Sequence, residues 1–385
     1  MSQPIINPAA LPGRPRLLVR GVNWLGDAVM TTPALLRLRE ALPGTEITLL
    51  THEKFADLWR DHPAVDALIT FTDQNNLWQI ALRLRREKFG TALVLPNSTR
   101  AALEVWLGGV PRRIGYAGRG RHWLLTETLA RPASFVPMHK RTDAEIKMLV
   151  QNPPRPAPPP PMSAHHMHHY LHLAGALGAK TEPLAPLIPV SEFHLVGARS
   201  KLQITGAPRL ILGLNAGAEY GPAKRWPPER FVSTMLELRR RTGCHWVLFG
   251  GRGDIPLANH IAGEIDKGTN THGRHSPVLN LAGQTSLMEL CALLKYCRVL
   301  LTNDTGPMHL AAAVGTPVVV PFGSTSPELT GPGLPGDPRH RLLKSDAPCS
   351  PCFLRQCPVD FRCLRGIGVD QVAAAVLQVI ENSPA

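Results

Sequence analysis

Short buried apolar runs alternate with amphipathic helical stretches along most of this chain, and that alternation limits the fold more than any other feature. Residues 16–20 (RLLVR), 46–51 (EITLLT), 67–70 (ALIT) and 91–96 (TALVLP) read as strands. Between them, TTPALLRLREAL sets Leu35, Leu38 and Leu42 on one helical face, and NNLWQIALRLRREKF is a basic amphipathic helix. Strands and helices in this order build βαβ units and a parallel sheet covered on both faces. The pattern stops at 151–162 (QNPPRPAPPPPM), where the prolines exclude helix and central strand and predict an exposed polyproline-type loop. A helix (HHYLHLAGALGA) follows, then a Pro-rich stretch (TEPLAPLIPVSE) that reads as a linker. The alternation then restarts, with strands at 209–215, 245–250, 278–283, 298–303 and 317–322. Helices are predicted at 227–241, 255–265, 287–296 and 308–314, and DQVAAAVLQVIEN forms a last one.

The reading is therefore α/β, with two Rossmann-like domains, 1–190 and 191–345. A Cys-rich segment and terminal helix, 346–385, are expected to pack back on the first domain. Ligands of open parallel sheets sit beyond the carboxyl ends of the strands. Two such domains facing each other would place a cleft between them, lined by strand-end loops.

The formal net charge of +13 points to a polyanionic partner: nucleic acid, an anionic membrane surface or a phosphorylated substrate. Against nucleic acid, the basic residues are dispersed, aromatics are only 5%, and no RRM, KH or zinc-finger pattern appears. No stretch approaches the ~20 apolar residues of a membrane-spanning helix. The amino terminus has no apolar region followed by a small-residue cleavage site, so a reducing cytosol is the expected compartment.

Three strand-end turns carry candidate chemistry. In RGVNWLGDAVMTTPAL, Asp27 follows a Gly26 turn at a helix start, as an N-cap or as a carboxylate presented for general-base work. No GxGxxG or GxxxxGK[ST] motif is present there. In LNAGAEYGPAKRWPPERF, Gly217 and Gly221 free the backbone to approach a ligand. Lys224 and Arg225 stand just before a helix there, which makes either a phosphate site or a solvated basic loop. In TNDTGPMHLAAA, the backbone N–H groups of Thr305 and Gly306 suit a phosphate oxygen, Asp304 suits sugar hydroxyls, and His309 lies one turn into the helix.

Together NWLGDAVMTTPAL, LPNSTRAALEVWLGGVPRRIGY, NAGAEYGPAKRWP and TNDTGPMHLAAAVGTPVVVPFGSTSPE, spread from about residue 16 to 370, resemble the ADP-heptose–lipopolysaccharide heptosyltransferase family, most of all its type II members. The resemblance implies the GT-B fold, two Rossmann-like domains with parallel sheets facing across a cleft. It also implies inverting transfer of L-glycero-D-manno-heptose from ADP-heptose to the first heptose of the lipopolysaccharide inner core (heptosyl-Kdo2–lipid A), with no cofactor required. A type I or other family member with a different acceptor is the nearest alternative, a catalytically dead relative a further one, and a basic nucleic-acid-binding protein a distant one. By this resemblance Asp27 matches the catalytic base, Lys224 the diphosphate-binding lysine, and Thr305 and Gly306 the amides of the diphosphate loop. Asp304 and His309 match residues beside the donor sugar, Asp254 the acidic partner of the ribose, and Thr285 and Leu287 the flanks of the adenine. The acceptor would be lipid-linked and anionic. Ser98, Arg100, Arg112, Arg113, Arg119 and Arg121 are the candidates to hold it, or else form a solvated basic face. Trp106, Tyr116 and Trp123 are interleaved with them. Docking on the cytoplasmic face of the inner membrane, as a peripheral protein, is the expected location.

Cys349, Cys352, Cys357 and Cys363 cluster in CSPCFLRQCPVDFRC, where in a reducing cytosol a structural zinc is a candidate ahead of disulfides, while Cys244, Cys291 and Cys297 read as small core residues. His165, His166, His168, His169 and His172 form a dense run with no nearby carboxylate or thiol, which reads as a solvated helix face before a metal site.

Overall fold

The computed structural model describes residues 13–118, 120–155, 157–202, 210–271 and 276–382. The chain forms two units, Met1–Phe135 with Ser163–Pro189, and Val136–Met162 with Val190–Ala385.

In the first unit, β1 (Arg16–Arg20), β2 (Glu46–His52), β3 (Ala67–Phe71), β4 (Thr91–Val94), β5 (Arg112–Tyr116) and β6 (Glu127–Leu129) form one parallel sheet in the order β3-β2-β1-β4-β5-β6. The helices of this unit are α1 (Leu25–Met30), α2 (Thr32–Ala41), α3 (Ala56–Trp59), α4 (Leu77–Glu87), α5 (Thr99–Leu107) and α7 (His166–Gly175). Leu18, Leu50, Ala92 and Val94 from the strands pack with Ile80 and Leu84 of α4 and Ala101, Ala102 and Val105 of α5. Strand order reverses between β1 and β4, so the loops after these two strands flank the topological switch point. Behind that edge the buried Arg20 donates to the buried Glu104 at 2.8 Å, fixing β1 to α5.

In the second unit, β7 (Ile211–Asn215), β8 (His245–Leu248), β9 (Val278–Asn280), β10 (Leu300–Thr302), β11 (Val318–Pro321) and β12 (Arg341–Leu343) form a second parallel sheet, order β12-β11-β10-β7-β8-β9. Its switch point lies between β7 and β10, where Thr302 is in register with Asn215. Helices α6 (Asp143–Gln151), α8 (Glu192–Lys201), α9 (Pro228–Thr242), α10 (Ile255–Thr269), α11 (Leu287–Leu294), α12 (Gly306–Ala313), α13 (Pro327–Thr330), α14 (Arg362–Arg365) and α15 (Val369–Asn382) belong to this unit.

Several expectations need correcting. The terminal helix, expected on the first domain, belongs to the second unit. Val372, Val376 and Val379 of α15 join Leu212, Phe231, Trp246 and Leu301 in the second unit's own core. Residues 136–162 also belong to this unit: Ile146 of α6 packs on Cys349, Cys352 and Leu354, and Arg141 N–H donates to the Cys352 carbonyl at 3.1 Å. The stretch read as a linker contains α8, anchored where Tyr296 donates to the Leu195 carbonyl at 3.1 Å. The single helix read in TTPALLRLREAL is preceded by a separate α1, and Pro33 sits in the first turn of α2. Short strands β5, β6 and β12 and helices α5 and α6 were not anticipated.

Candidate active site

In the second unit, the register of β7 with β10 brings two of the sequence turns side by side. The side chain of Asn303 accepts from the Trp226 N–H at 2.9 Å and donates to the Ala216 carbonyl at 2.7 Å, tying the loop after β10 to the loop after β7. Lys224 closes a short 3-10 turn (Pro222–Lys224), and its ammonium lies 2.5 Å from Oδ2 of the buried Asp304. The same oxygen accepts from the Thr325 hydroxyl at 2.5 Å. The Lys224 ammonium also stands 5.0 Å from the centre of the Tyr220 ring. One buried carboxylate thus holds a lysine beside the amino terminus of α12, whose cap position is Thr305 and whose first residue is Gly306. Pro307 has no N–H, so the donors at this helix start come from its neighbours. His309 lies buried on α12, and burial pushes its imidazole down to about 4, although the Asp304 charge acts the other way. The ring is therefore neutral at pH 7.

Gly217 and Asp254 meet at the end of β7. A Cβ at Gly217 would come within 2.3–2.5 Å of the Asp254 carboxyl atoms, so only glycine lets the two approach. Oδ2 of Asp254 accepts from the Gly251 N–H at 3.0 Å. Both residues line a narrow recess of about 10 Å³ with Leu214, Phe249, Leu257 and Ile261. It has room for about one water molecule. Thr285 and Leu287 lie at the start of α11, where Ser286 makes the cap. They are not among the residues lining that recess.

In the first unit, Asp27 lies in the first turn of α1, and Trp24, not Asp27, occupies the cap position. Tyr170 of α7 donates its hydroxyl to Asp27 Oδ1 at 3.0 Å. The expected acceptor residues divide. Ser98 caps α5, accepting from the Ala101 N–H at 3.2 Å. Arg100, on the first turn of α5, pairs with Glu104 at 3.3 Å and donates to the Asn75 carbonyl at 3.2 Å. Arg121 is buried, and its Nη1 reaches Asn97 Oδ1 at 3.4 Å. Burial and the neighbouring Arg131 push its guanidinium down to about 10.

Arg112 and Arg113 depart from the expectation. They open β5, in register with Thr91 and Ala92 of β4, at the amino ends of the strands and away from the edge that carries Asp27. Arg112 is paired with Glu127 at 2.6 Å, and Arg113 donates to the Leu124 and Val110 carbonyls. Their guanidiniums hold the sheet edge together. Arg119 lies outside the described residues.

Among the described residues, no group of three or more His, Cys, Asp or Glu is placed to hold a metal ion. Cys349 and Cys352 pack with Ile146 and Leu354, Cys363 joins the core around Leu364, and Cys357 accepts from the Phe361 N–H. Burial, together with the neighbouring Cys349, Cys352 and Cys357, pushes the Cys363 thiol up to about 12. The histidine run also differs from a solvated face: His165 and His169 are buried, and the His165 ring accepts from the Met167 N–H at 3.2 Å. Sequence reasoning missed Tyr170, Asn303 and Thr325, although each stands inside a stretch that had drawn notice.

Comparison with known proteins places this geometry. The model of glycosyltransferase family 9 (heptosyltransferase) matches residues 77–361, well over half the chain and all of the second-unit site, though it begins after Asp27. Lipopolysaccharide heptosyltransferase 2 of Escherichia coli is 28% identical over 329 residues, 82% of this chain and 85% of the relative. Lipooligosaccharide heptosyltransferase 2 of Haemophilus influenzae is 27% identical over 331 residues, again 82% and 85%. Among solved structures, E. coli ADP-heptose lps heptosyltransferase II superposes with a TM-score of 0.73 at 24% identity, covering 95% of this chain and 98% of that one. E. coli heptosyltransferase WaaC with ADP does so with 0.63 at 17%, covering 95% and 99%. The two parallel sheets are those of the GT-B fold, and by the extent of the family match this chain belongs to glycosyltransferase family 9, the heptosyltransferases.

Proposed function

We propose that this enzyme is an inverting heptosyltransferase. It transfers L-glycero-D-manno-heptose from ADP-heptose to the first heptose of the lipopolysaccharide inner core. The observation that carries the reading is the run of heptosyltransferase 2 relatives matched over 82% of the chain.

The residues divide the work in a way that suits this chemistry. The second unit takes the donor. Lys224, held by Asp304, meets the diphosphate together with the amides of Thr305 and Gly306. Asp254, which Gly217 lets stand close to the end of β7, takes the ribose hydroxyls, with Thr285 and Leu287 toward the base. His309, neutral and buried, stands by the sugar as a hydrogen-bonding group without charge. The first unit takes the acceptor. Asp27 removes the proton from the acceptor hydroxyl as its oxygen attacks the anomeric carbon, and ADP leaves with the electron pair of the broken bond. Ser98 and Arg100 at the start of α5, and Arg121 after β5, stand at the strand ends of that unit for the anionic acceptor. The positive charge of the chain favours work at an anionic membrane surface, the cytoplasmic face of the inner membrane. No helix among the described residues is long and apolar enough to cross a membrane.

The test is ADP release from purified protein supplied with ADP-L-glycero-β-D-manno-heptose, with and without heptosyl-Kdo2–lipid A. Release only with that acceptor is the expected result. Release with Kdo2–lipid A instead would reassign the enzyme to the first heptose, and silence with both would remove the reading.

A further inference from the structure

The histidine-rich helix α7 packs against α1, the helix that carries Asp27. Its Tyr170 is buried and directs its hydroxyl to Asp27 Oδ1 at 3.0 Å. Asp27 itself is half-buried. The surroundings of Tyr170 hold it in place. Tyr116, at the end of β5, donates its hydroxyl to the His169 carbonyl at 2.8 Å and stands 2.9 Å from the His172 ring. Arg131 covers the Tyr116 ring at 4.2 Å and the Phe135 ring at 4.8 Å. The groups acting electrostatically on this corner are His166 and Tyr170 from α7, Tyr116 from β5 and Arg131 from the loop after β6.

We propose that Tyr170 is the positioning residue of the general base, its hydroxyl fixing the Asp27 carboxylate in one rotamer with Oδ1 engaged. The inference rests on the assignment of Asp27 as the base. A freely rotating carboxylate spends little time aligned with an incoming hydroxyl, and a fixed one is aligned before the acceptor arrives. A hydroxyl donor also favours the charged form of the carboxyl, the form a base needs. Burial and the Asp27 charge push the Tyr170 phenol well above its ordinary range, so it remains a donor throughout the working pH. On this account the run around Tyr170 is the packed support of one hydrogen bond, which explains why so many of its rings lie inside.

The test is Tyr170→Phe, which keeps the ring and removes the donor. The expected result is a kcat lower by about tenfold with an unchanged KM for ADP-heptose, and an acid limb of the pH–rate profile moved to higher pH by about 1 pH unit. A purely structural tyrosine would leave that limb in place, because the ring still packs. Wild-type kcat and acid limb in a Tyr170→Phe protein of wild-type melting temperature overturn the inference. If that variant fails to fold, 3,5-difluorotyrosine at position 170 keeps the packing and strengthens the donor, and the limb must then move to lower pH. If the wild-type chain transfers no heptose, the function falls but this inference is still decided. Carbon-13 titration of the Asp27 carboxyl must show a higher midpoint in Tyr170→Phe, and equal midpoints overturn it.

Discussion

In the site proposed for the donor, much depends on two single residues, Lys224 and Gly217. Lys224 is held by a buried carboxylate at 2.5 Å, so its charge is aimed before any ligand arrives. Lys224→Ala is expected to weaken ADP binding about 10–100-fold while leaving adenosine binding nearly unchanged, because only the diphosphate meets the ammonium. Calorimetry with the two ligands checks it, and equal losses for both would contradict the diphosphate role. Gly217→Ala pushes a methyl group into the Asp254 carboxyl at 2.3–2.5 Å, with backbone on one side and a capped turn on the other. A loss of about 1–3 kcal/mol in stability and a fall in ADP affinity are expected. Adding Asp254→Ala should restore the melting temperature but not the affinity, which separates the clash from the contact. Arg112 and Arg113 carry the opposite lesson. Their sequence neighbourhood matched a ligand-binding segment, yet their position at the amino ends of the strands makes them structural.

At the scale of elements, buried histidines recur at helix and strand boundaries. His62 follows α3, His169 lies in α7, His309 in α12 and His340 precedes β12, and burial pushes each down to about 4. In the unfolded chain these rings titrate near 6.5. Above that value both states are neutral and the groups contribute no pH dependence. As pH falls from about 6.5 toward 4, the unfolded chain takes up protons that the folded chain refuses, so stability falls. The expected outcome is a melting temperature that is flat above pH 7 and declines steadily below 6.5. A melting temperature unchanged between pH 7 and 5 would show that these rings are hydrated in solution.

The same scale explains what was legible in the sequence. The central strands were plain because both faces are covered, as in RLLVR, whose three middle residues are apolar and buried, and VVVP, where all four are. The edge strands β6 and β12 are three residues long and half-exposed, and β5 beside the edge opens on two arginines, so no apolar run marks them. Helix α8 buries only Ala198 and leaves Phe193 and Val196 exposed, which erases the helical period. In the site, the turns at 27, 217, 224 and 304–306 were visible because glycine and charge interrupt apolar strands there. Thr325 and Tyr170 were not, since a hydroxyl that reaches across from another element leaves no local pattern.

Over the whole molecule, the net charge of +13 is joined by large exposed aromatics: Trp123 at 79%, Trp78 at 64% and Trp106 at 45% exposure, all in the first unit. Rings of this kind sit at the headgroup level of bilayers, and basic residues add roughly 1 kcal/mol each near an anionic surface. The chain is expected to sediment with vesicles containing anionic lipid at low salt and to be released as salt rises. It should stay in the supernatant with vesicles of purely zwitterionic lipid. Equal binding to both vesicle types would assign the attraction to the aromatics alone.

The excursion of residues 136–162 into the second unit has a consequence for the timing of synthesis. Arg141 donates to the Pro348 carbonyl, 207 residues further along the chain. At about 5–20 residues per second, a ribosome makes that stretch in roughly 10–40 s. During this interval α6 has emerged while the loop it packs on does not yet exist, and the apolar side of Ile146 is uncovered. The prolines that follow it, in a segment suited to neither helix nor central strand, give neighbouring nascent strands nothing to pair with during the wait.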